Sequence, residues 1–439
     1  MTQKKIHFIG IGGVHMSGLA RMCALVGCDI SGSDAKESTT TAELRSEGIS
    51  VTIGHKAENI DPSMELIVHT SAVKEDNPEM LRARELGLSV VDKATLLGSV
   101  MTKYGKRICI SGSHGKTTTT AMISETLYGL GCDPTVVNGG VCTRLGTAMR
   151  LGRGEYIVAE ADEYYDAFLK MRPSHGVILN IEHDHTDFFP TFDRLWQSFR
   201  DFALRIDDDG ALIVHGGVPR LSALTEGLKC RVVTYGTKNA HWQWADGHAI
   251  YHGERAAEMR LAVPGAHNVD NALAAVALCH VLGQNIRAAA AELGLFKGAG
   301  RRFQPRGSYN GAAIYDDYAH HPTEVRATLS AAKSVAAGRV ICVFQPHTRS
   351  RTVELMDDFA ASFADADKIL LLDIFTPAGR EEGHIPITSA DLCARLKANG
   401  KDAEAPGSFN KTTARLRNLC QEGDTVILMG AGDVNALTI

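Results

Sequence analysis

The segment Ile110-Ser-Gly-Ser-His-Gly-Lys-Thr-Thr-Thr-Thr120 sets a lysine and a row of hydroxyls directly behind two glycines. A turn of this kind holds phosphate. Backbone N–H groups point into it, the helix that follows favours negative charge at its start, and Lys116 adds a full positive charge. Thr117 is placed to offer its hydroxyl to a phosphate-bound magnesium. The fit to the general phosphate loop is partial, because that pattern's first glycine falls at Ile110. Four further stretches carry polar groups at strand exits. Gly10-Ile-Gly-Gly13, with Gly18 and with Asp34 after the next strand, lets a phosphate or diphosphate approach the backbone without specifying a nicotinamide cofactor. In Asn180-Ile-Glu-His-Asp-His-Thr-Asp187, His185 could bind a divalent cation together with Glu160 from the preceding strand end. Zinc hydrolysis is disfavoured there, because the last histidine of H-x-H-x-D-H falls at Phe188. Finally, Asp316 to Glu324 and Gln345 to Thr352 combine imidazoles with two arginines that can grip a carboxylate or phosphate.

These loops need strands to deliver them, and the sequence supplies three α/β blocks. In the first, Ile6–Ile9, Asp29–Ser31 and Leu66–His69 read as strands and Met16–Val26 as a helix. In the second, Arg107–Ile110, Glu155–Glu160 and Gly176–Asn180 read as strands, and Ala121–Leu127 and Asn268–Leu282 as helices. Leu195, Phe199, Phe202 and Ile206 form a stripe at helical spacing that belongs in the core. Between Asp207 and Gly253 the pattern shortens into small strands and turns. Gly298–Phe303 has the turn and charge of a linker, and beyond it Ala312–Tyr315, Val340–Phe344, Ile369–Asp373 and Thr425–Met429 read as strands. The βαβ rhythm implies parallel sheets with ligands at the carboxyl ends of their strands.

A chain of 439 residues exceeds one typical core and suggests about three domains. The net charge of −5 gives no electrostatic case for nucleic acid or an anionic membrane. Ten scattered cysteines without a C-x-x-C pair are expected to be buried reduced thiols. No apolar run approaches the roughly 20 residues of a membrane span, so a cytoplasmic protein is expected.

Taken together, these motifs resemble the Mur ligases over essentially the whole chain and in the family's order. His7-Phe-Ile-Gly-Ile-Gly-Gly-Val-His-Met-Ser-Gly18 is similar to the family's UDP-binding opening, and Gly112-Ser-His-Gly-Lys-Thr-Thr118 to its shortened phosphate loop. Ala159–Glu163, Asn180–His185, His267–Asn271, Asp316–Glu324, His347–Thr352 and Gly430–Asp433 complete the likeness. The resemblance implies three domains. A Rossmann-like block (1–105) would bind a UDP-sugar, and a central P-loop ATPase block (106–299) would bind ATP. A Rossmann-like C-terminal block (300–439) would serve the amino acid and close over the nucleotide. It also implies ATP- and magnesium-dependent amide ligation in peptidoglycan synthesis. The lactyl carboxylate of UDP-N-acetylmuramate becomes an acyl phosphate, from which the amine of L-alanine displaces phosphate.

By position, the resemblance implies that Gly112, Ser113, His114, Gly115, Lys116, Thr117 and Thr118 hold the phosphates. Thr117 and Glu160 would ligate magnesium, with His185 in or near a second metal site. Asn268 and Asn271 would meet the adenine, while Arg302, Asp317 and His320 reach the nucleotide from the third block. His347 and Arg351 would receive the alanine carboxylate and the acyl intermediate, and act catalytically with Lys116 and His185. Gly10, Gly12, Gly13, Asp34, Thr70, Ser71 and Ala72 would hold the UDP-sugar. Partners are these small molecules, with no nucleic acid or membrane, and the chain is expected as a monomer or weak homodimer. Several positions depart from the family's pattern: His15, Ser113 and Arg349 stand where Gly, Thr and Tyr are expected, Asn138 is unusual, and Asp162-Glu-Tyr-Tyr-Asp166 carries an extra aromatic. A ligase that adds a ready-made tripeptide to the same UDP-sugar is the nearest rival, and the His347–Thr352 segment speaks for alanine. A nicotinamide-dependent oxidoreductase would leave Lys116-Thr117 unexplained. A P-loop regulatory ATPase would hydrolyse ATP without regard to UDP-sugar.

Overall fold

The structure, a computed structural model, describes residues 4–70, 73–377 and 385–439. Its strands form three sheets among the described residues. The first contains β1 (Lys5–Ile9), β2 (Asp29–Asp34), β3 (Ser50–Ile53), β4 (Leu66–His69) and β5 (Ser89–Asp92), ordered β3-β2-β1-β4-β5 and parallel throughout. Strand order reverses beside β1, so the exits of β1 and β4 flank a crevice in which open α/β sheets take ligands. β2 runs three residues beyond the expected Ser31. Gly32-Ser33-Asp34 is a poor strand sequence, but it pairs with both β1 and β3, and tertiary pairing overrides propensity.

The second sheet joins β6 (Lys106–Ser111), β7 (Thr135–Cys142), β8 (Thr147–Arg150), β9 (Tyr156–Glu160), β10 (His175–Ile178), β11 (Ala211–His215), β12 (Arg231–Tyr235), β13 (Trp242–Ala245), β14 (His248–Tyr251) and β15 (Glu254–Glu258). Their order is β15-β14-β13-β12-β11-β10-β6-β9-β7-β8. β6 lies between β9 and β10 and is parallel to both, which places the exits of all three side by side. Its residues Ile108, Cys109 and Ile110 are fully buried, as a central strand covered on both faces requires. The expected stripe closes one face: Leu195, Phe199 and Phe202 lie on the helix Phe192–Ala203 and, with Ile206, are buried in one core cluster.

The third sheet contains β16 (Gln304–Tyr309), β17 (Ala312–Asp317), β18 (Val340–Phe344), β19 (Lys368–Leu372), β20 (Ala403–Gly407) and β21 (Thr425–Met429), ordered β16-β17-β21-β18-β19-β20. Only the edge strand β16 runs antiparallel. Gly298–Phe303, expected as a linker, is tied down. Arg301 donates to the carbonyls of Gly430 (2.8 Å) and Gly432 (3.2 Å) and to Asp316 (3.2 Å).

The chain divides into two compact units, one running to Arg260 and including Asn271–Leu295, the other comprising Leu261–Asp270 and Phe296–Ile439. The first two sheets share the first unit. All ten cysteines are free, eight of them buried. Among the described residues no helix is long and apolar enough to cross a membrane.

Candidate functional site

In the first unit, β6 ends at Ser111 and the helix Lys116–Gly129 begins after four intervening residues. Gly112 and Gly115 take φ of 146° and 84°, so the chain turns through angles that cost a side chain dearly. Among the described residues no side chain caps this helix, which leaves its first N–H groups for an anion. The loop is braced from β10. Asn180 Oδ1 accepts from the His114 N–H at 2.8 Å, and Asn180 Nδ2 donates to the His114 carbonyl at 3.0 Å. The Ser113 hydroxyl bonds both the N–H and the carbonyl of Glu182 at 2.9 Å. A Cβ on Gly115 would meet Asn271 Oδ1 at 3.0 Å, so Asn271 stands against the loop.

The ammonium of Lys116 curls over this turn, donating to the Gly112 carbonyl at 2.7 Å and to Glu163 Oε2 at 2.8 Å. Glu163 is 1 % exposed. Burial opposes charge on Lys116, but Glu163, Asp162 and Glu160 outweigh it and hold its pKa above the ordinary lysine value. Burial lifts the Glu163 carboxyl to about 7 against the pull of Lys116. Asp162, Glu163 and His185 bring one ligand atom each within 4.8 Å of one another. Two carboxylates and an imidazole at that spacing suit a hard divalent cation. His185 has φ 53° and stacks on Tyr164, with ring centroids 4.4 Å apart. Glu160, paired with His185 in the sequence reading, directs Oε2 to the Gly139 N–H at 2.8 Å. Thr117, the second helical residue, is buried. The acidic pair Asp162-Glu163 is not among the metal ligands expected from the sequence, although the run Glu160-Ala-Asp-Glu163 stands at a strand exit.

The other mouth of this unit lies at the exits of β1, β2 and β4. Gly10 (φ 83°) and Ile11 donate to the Ser33 carbonyl, and the Gly12 N–H donates to Asp34 Oδ2 at 2.8 Å. A side chain on Gly10 would strike Thr70, so Gly10 and Thr70 face each other across the crevice. Gly13 caps the helix Val14–Leu25 without a side-chain bond. Ser71 and Ala72 lie outside the described residues.

In the second unit, Asp317 is buried at the end of β17, accepting from the N–H groups of Phe303 and Ala319 at 2.8 Å. Burial raises its pKa, against the pull of Arg302. Arg302 lies 3.6 Å from Glu324 and above the Tyr318 ring. The His320 and His347 rings are 5.8 Å apart, at the exits of β17 and β18. Pro322 is the first residue of its helix, as expected. Arg351 lies on the short helix Arg349–Glu354 that follows Thr348, whose φ is 64°. Asn268, with Nδ2 2.6 Å from the Pro264 carbonyl, belongs to this unit, whereas Asn271 belongs to the first.

Known proteins match the chain over nearly its whole length. Residues 5–104 match the Mur ligase family, catalytic domain, residues 110–279 the Mur ligase middle domain, and residues 301–432 the Mur ligase, glutamate ligase domain. A UDP-N-acetylmuramate–L-alanine ligase of Lachnospira eligens is 42% identical over 98% of this chain and 96% of its own length. One of Caldanaerobacter subterraneus subsp. tengcongensis is also 42% identical, over 98% and 95%. Among solved structures, the UDP-N-acetylmuramate–alanine ligase of Thermotoga maritima superposes with a TM-score of 0.82 at 29% identity, covering 98% of this chain and 96% of that one. A murein peptide ligase of Psychrobacter arcticus reaches 0.73 at 25%, covering 99% and 97%. With three family domains in register and relatives this similar over nearly its full length, the chain belongs to the Mur ligase family.

Proposed function

We propose that this chain is an ATP-dependent ligase that joins L-alanine to the lactyl carboxylate of UDP-N-acetylmuramate. The observation that carries the reading is the uncapped helix start of the phosphate loop, with Lys116 folded over it beside the Asp162–Glu163–His185 cluster. The relatives of that name, similar over nearly the whole chain, supply the substrate class. Carboxylates acylate amines poorly, and phosphorylation turns the carboxylate into a good acyl donor. The substrate carboxylate attacks the γ-phosphorus, ADP leaves, and the acyl phosphate forms. The alanine amine then adds to the acyl carbon, and the tetrahedral adduct expels phosphate. Phosphoryl transfer needs positioning and neutralised charge above all. Lys116 and the helix N–H groups supply both to the triphosphate, while Gly10, Gly12, Gly13, Asp34 and Thr70 hold the UDP-sugar. Magnesium held by Thr117 and Glu160, or by Asp162, Glu163 and His185, would add charge neutralisation. In the second unit, Arg302, Asp317 and His320 serve the nucleotide, and His347 and Arg351 the alanine carboxylate. The protein would work in the cytoplasm as a monomer or weak homodimer.

Phosphate release with ATP, magnesium and UDP-N-acetylmuramate, measured against a panel of amino acids and the peptidoglycan tripeptide, tests the assignment. Turnover should require both the UDP-sugar and L-alanine, and Lys116→Ala should be folded and inactive. Release indifferent to either co-substrate refutes a ligase. The likeness to a murein peptide ligase favours a second reading with a peptide acceptor, and turnover with the tripeptide in place of alanine would select it.

A further inference from the structure

The fold gives His15 an unusual address. It is the second residue of the helix Val14–Leu25, immediately behind the Gly10–Gly13 turn. Its Nε2 lies 3.2 Å from the carbonyl of Asn138, on β7 of the neighbouring sheet. The next residue, Gly139, donates its N–H to Glu160 at 2.8 Å. Two consecutive residues of β7 therefore link the diphosphate mouth, through His15, to the carboxylates beside the phosphate loop.

The position is firm. A Cβ on Gly18, one turn along the same helix, would fall 1.9 Å from Met149 Sδ on β8, so the helix lies hard against the second sheet. Because a backbone carbonyl can only accept, the bond to Asn138 fixes the proton of a neutral ring on Nε2 and leaves Nδ1 with its lone pair. Burial, then the charge of Lys93, lowers the pKa of His15 against the pull of Glu160 and Asp162, so the ring is neutral near pH 7. The residue is half-buried, and Nδ1 has no partner among the described residues.

A nucleotide whose diphosphate lies on Gly10–Gly13, and whose carboxylate must reach a phosphate at Lys116, carries its sugar between these two mouths. We propose that His15 is a specificity-determining contact for that sugar, with Nδ1 accepting a hydrogen bond from one of its hydroxyl or acetamido N–H groups while Nε2 stays on Asn138. This rests on the ligase reading and adds a sugar contact to it.

Calorimetric titration with UDP-N-acetylmuramate and with UDP alone separates the possibilities. The replacements follow the two ring nitrogens: His15→Asn keeps an acceptor near Nδ1, whereas His15→Gln keeps only the reach to Asn138. His15→Gly and His15→Gln should weaken the UDP-sugar on the order of tenfold, as loss of one uncharged hydrogen bond does, and leave UDP unchanged. His15→Asn should restore most of the loss, and the KM for ATP should stay put in all three. Equal weakening of both ligands, or none in either, overturns the sugar contact while leaving the ligase reading intact. A wild-type protein that binds UDP but not UDP-N-acetylmuramate overturns both.

Discussion

Severing the Lys116–Glu163 pair provides a quantitative test of how the phosphate loop is held. At 2.8 Å the charges attract by about 6 kcal/mol at an effective dielectric near 20. Both groups are withdrawn from water, with side chains 13% and 1% exposed, and desolvation costs several kcal/mol per ion, so the intact pair comes near to breaking even. Removing one partner is another matter. Lys116→Met leaves the buried Glu163 carboxyl without its cation and should cost about 3–5 kcal/mol at pH 8, where the folded state must take up a proton or bury an unpaired charge. Lys116→Met with Glu163→Gln should recover about 2–3 kcal/mol of that, the signature of a coupled pair. The pH dependence follows from the raised carboxyl. A group whose folded pKa exceeds its unfolded value of 4.5 contributes stability that is complete below 4.5 and lost as pH rises through about 7. Without Lys116 the folded value climbs further, and the loss continues at about 1.4 kcal/mol per pH unit. Between pH 7 and 9 the deficit of Lys116→Met should therefore widen by about 2–3 kcal/mol, and that of the double variant should not. Urea unfolding in EDTA reports this directly, because all three tryptophans (Trp196, Trp242 and Trp244) lie in the same sheet-and-helix layer as the pair. Additive single-variant costs, or a Lys116→Met deficit that stays constant from pH 7 to 9, would refute the buried-pair account.

Three further outcomes follow from the same geometry. Asn180→Ala removes both side-chain bonds to His114, which should cost about 1–3 kcal/mol in unfolding and raise the Kd for ATP on the order of tenfold, since the loop is no longer preordered. His175, buried in β10, is pulled down to about 4 by desolvation, so its contribution is complete above pH 6.5 and disappears as pH falls from 6.5 to 4. About 3 kcal/mol should be lost across that window, and His175→Gln should flatten the acid limb of the stability curve. Gly98→Ala would set a Cβ 2.1 Å from the Lys170 carbonyl, a backbone atom that cannot swing aside, and should lower stability by about 1–3 kcal/mol in the same unfolding assay.

Features encoded by consecutive residues were legible in the sequence, and features made by distant ones were not. β4, β18 and β21 match their expected bounds, because each is an apolar run closed by a polar turn. The helix behind the phosphate loop begins at Lys116, where the Gly-Lys-Thr motif puts its start, although Thr117–Thr120 are weak helix formers and only Ala121–Leu127 carries a helical pattern. β16 was missed because Pro305 and Gly307 read as loop, and they are tolerated there on an antiparallel edge with a register shift. β7 escaped notice for a similar reason, as Asn138-Gly139-Gly140 interrupts its apolar pattern. Glu163 stands out in the sequence only as part of an acidic run, and nothing local points to Lys116 as its partner. Its partner is 47 residues away, and the pair exists only because β6 and β9 lie parallel with Ile110 opposite Glu160. Read locally, the same acids resemble a solvated turn.

The backbone just past Glu163 explains why that turn is not solvated. Tyr165 and Asp166 both adopt left-handed angles, φ 55° and 53°, at a cost of order 1–3 kcal/mol each for residues with side chains. Asp166 secures them, because its carboxylate takes Arg194 on one oxygen and the Ser198 hydroxyl on the other. Both partners lie on the helix Phe192–Ala203, whose apolar stripe is anchored in the core. The reversal that results lets the chain leave β9, send Glu163 inward to Lys116, and bring Tyr164 back over His185 within four residues. A straighter exit would carry Glu163 toward water, where an exposed pair is worth little and would not hold the ammonium over the loop. The strain is thus offset by core packing on a neighbouring helix, and it fixes the lysine in position before any phosphate arrives.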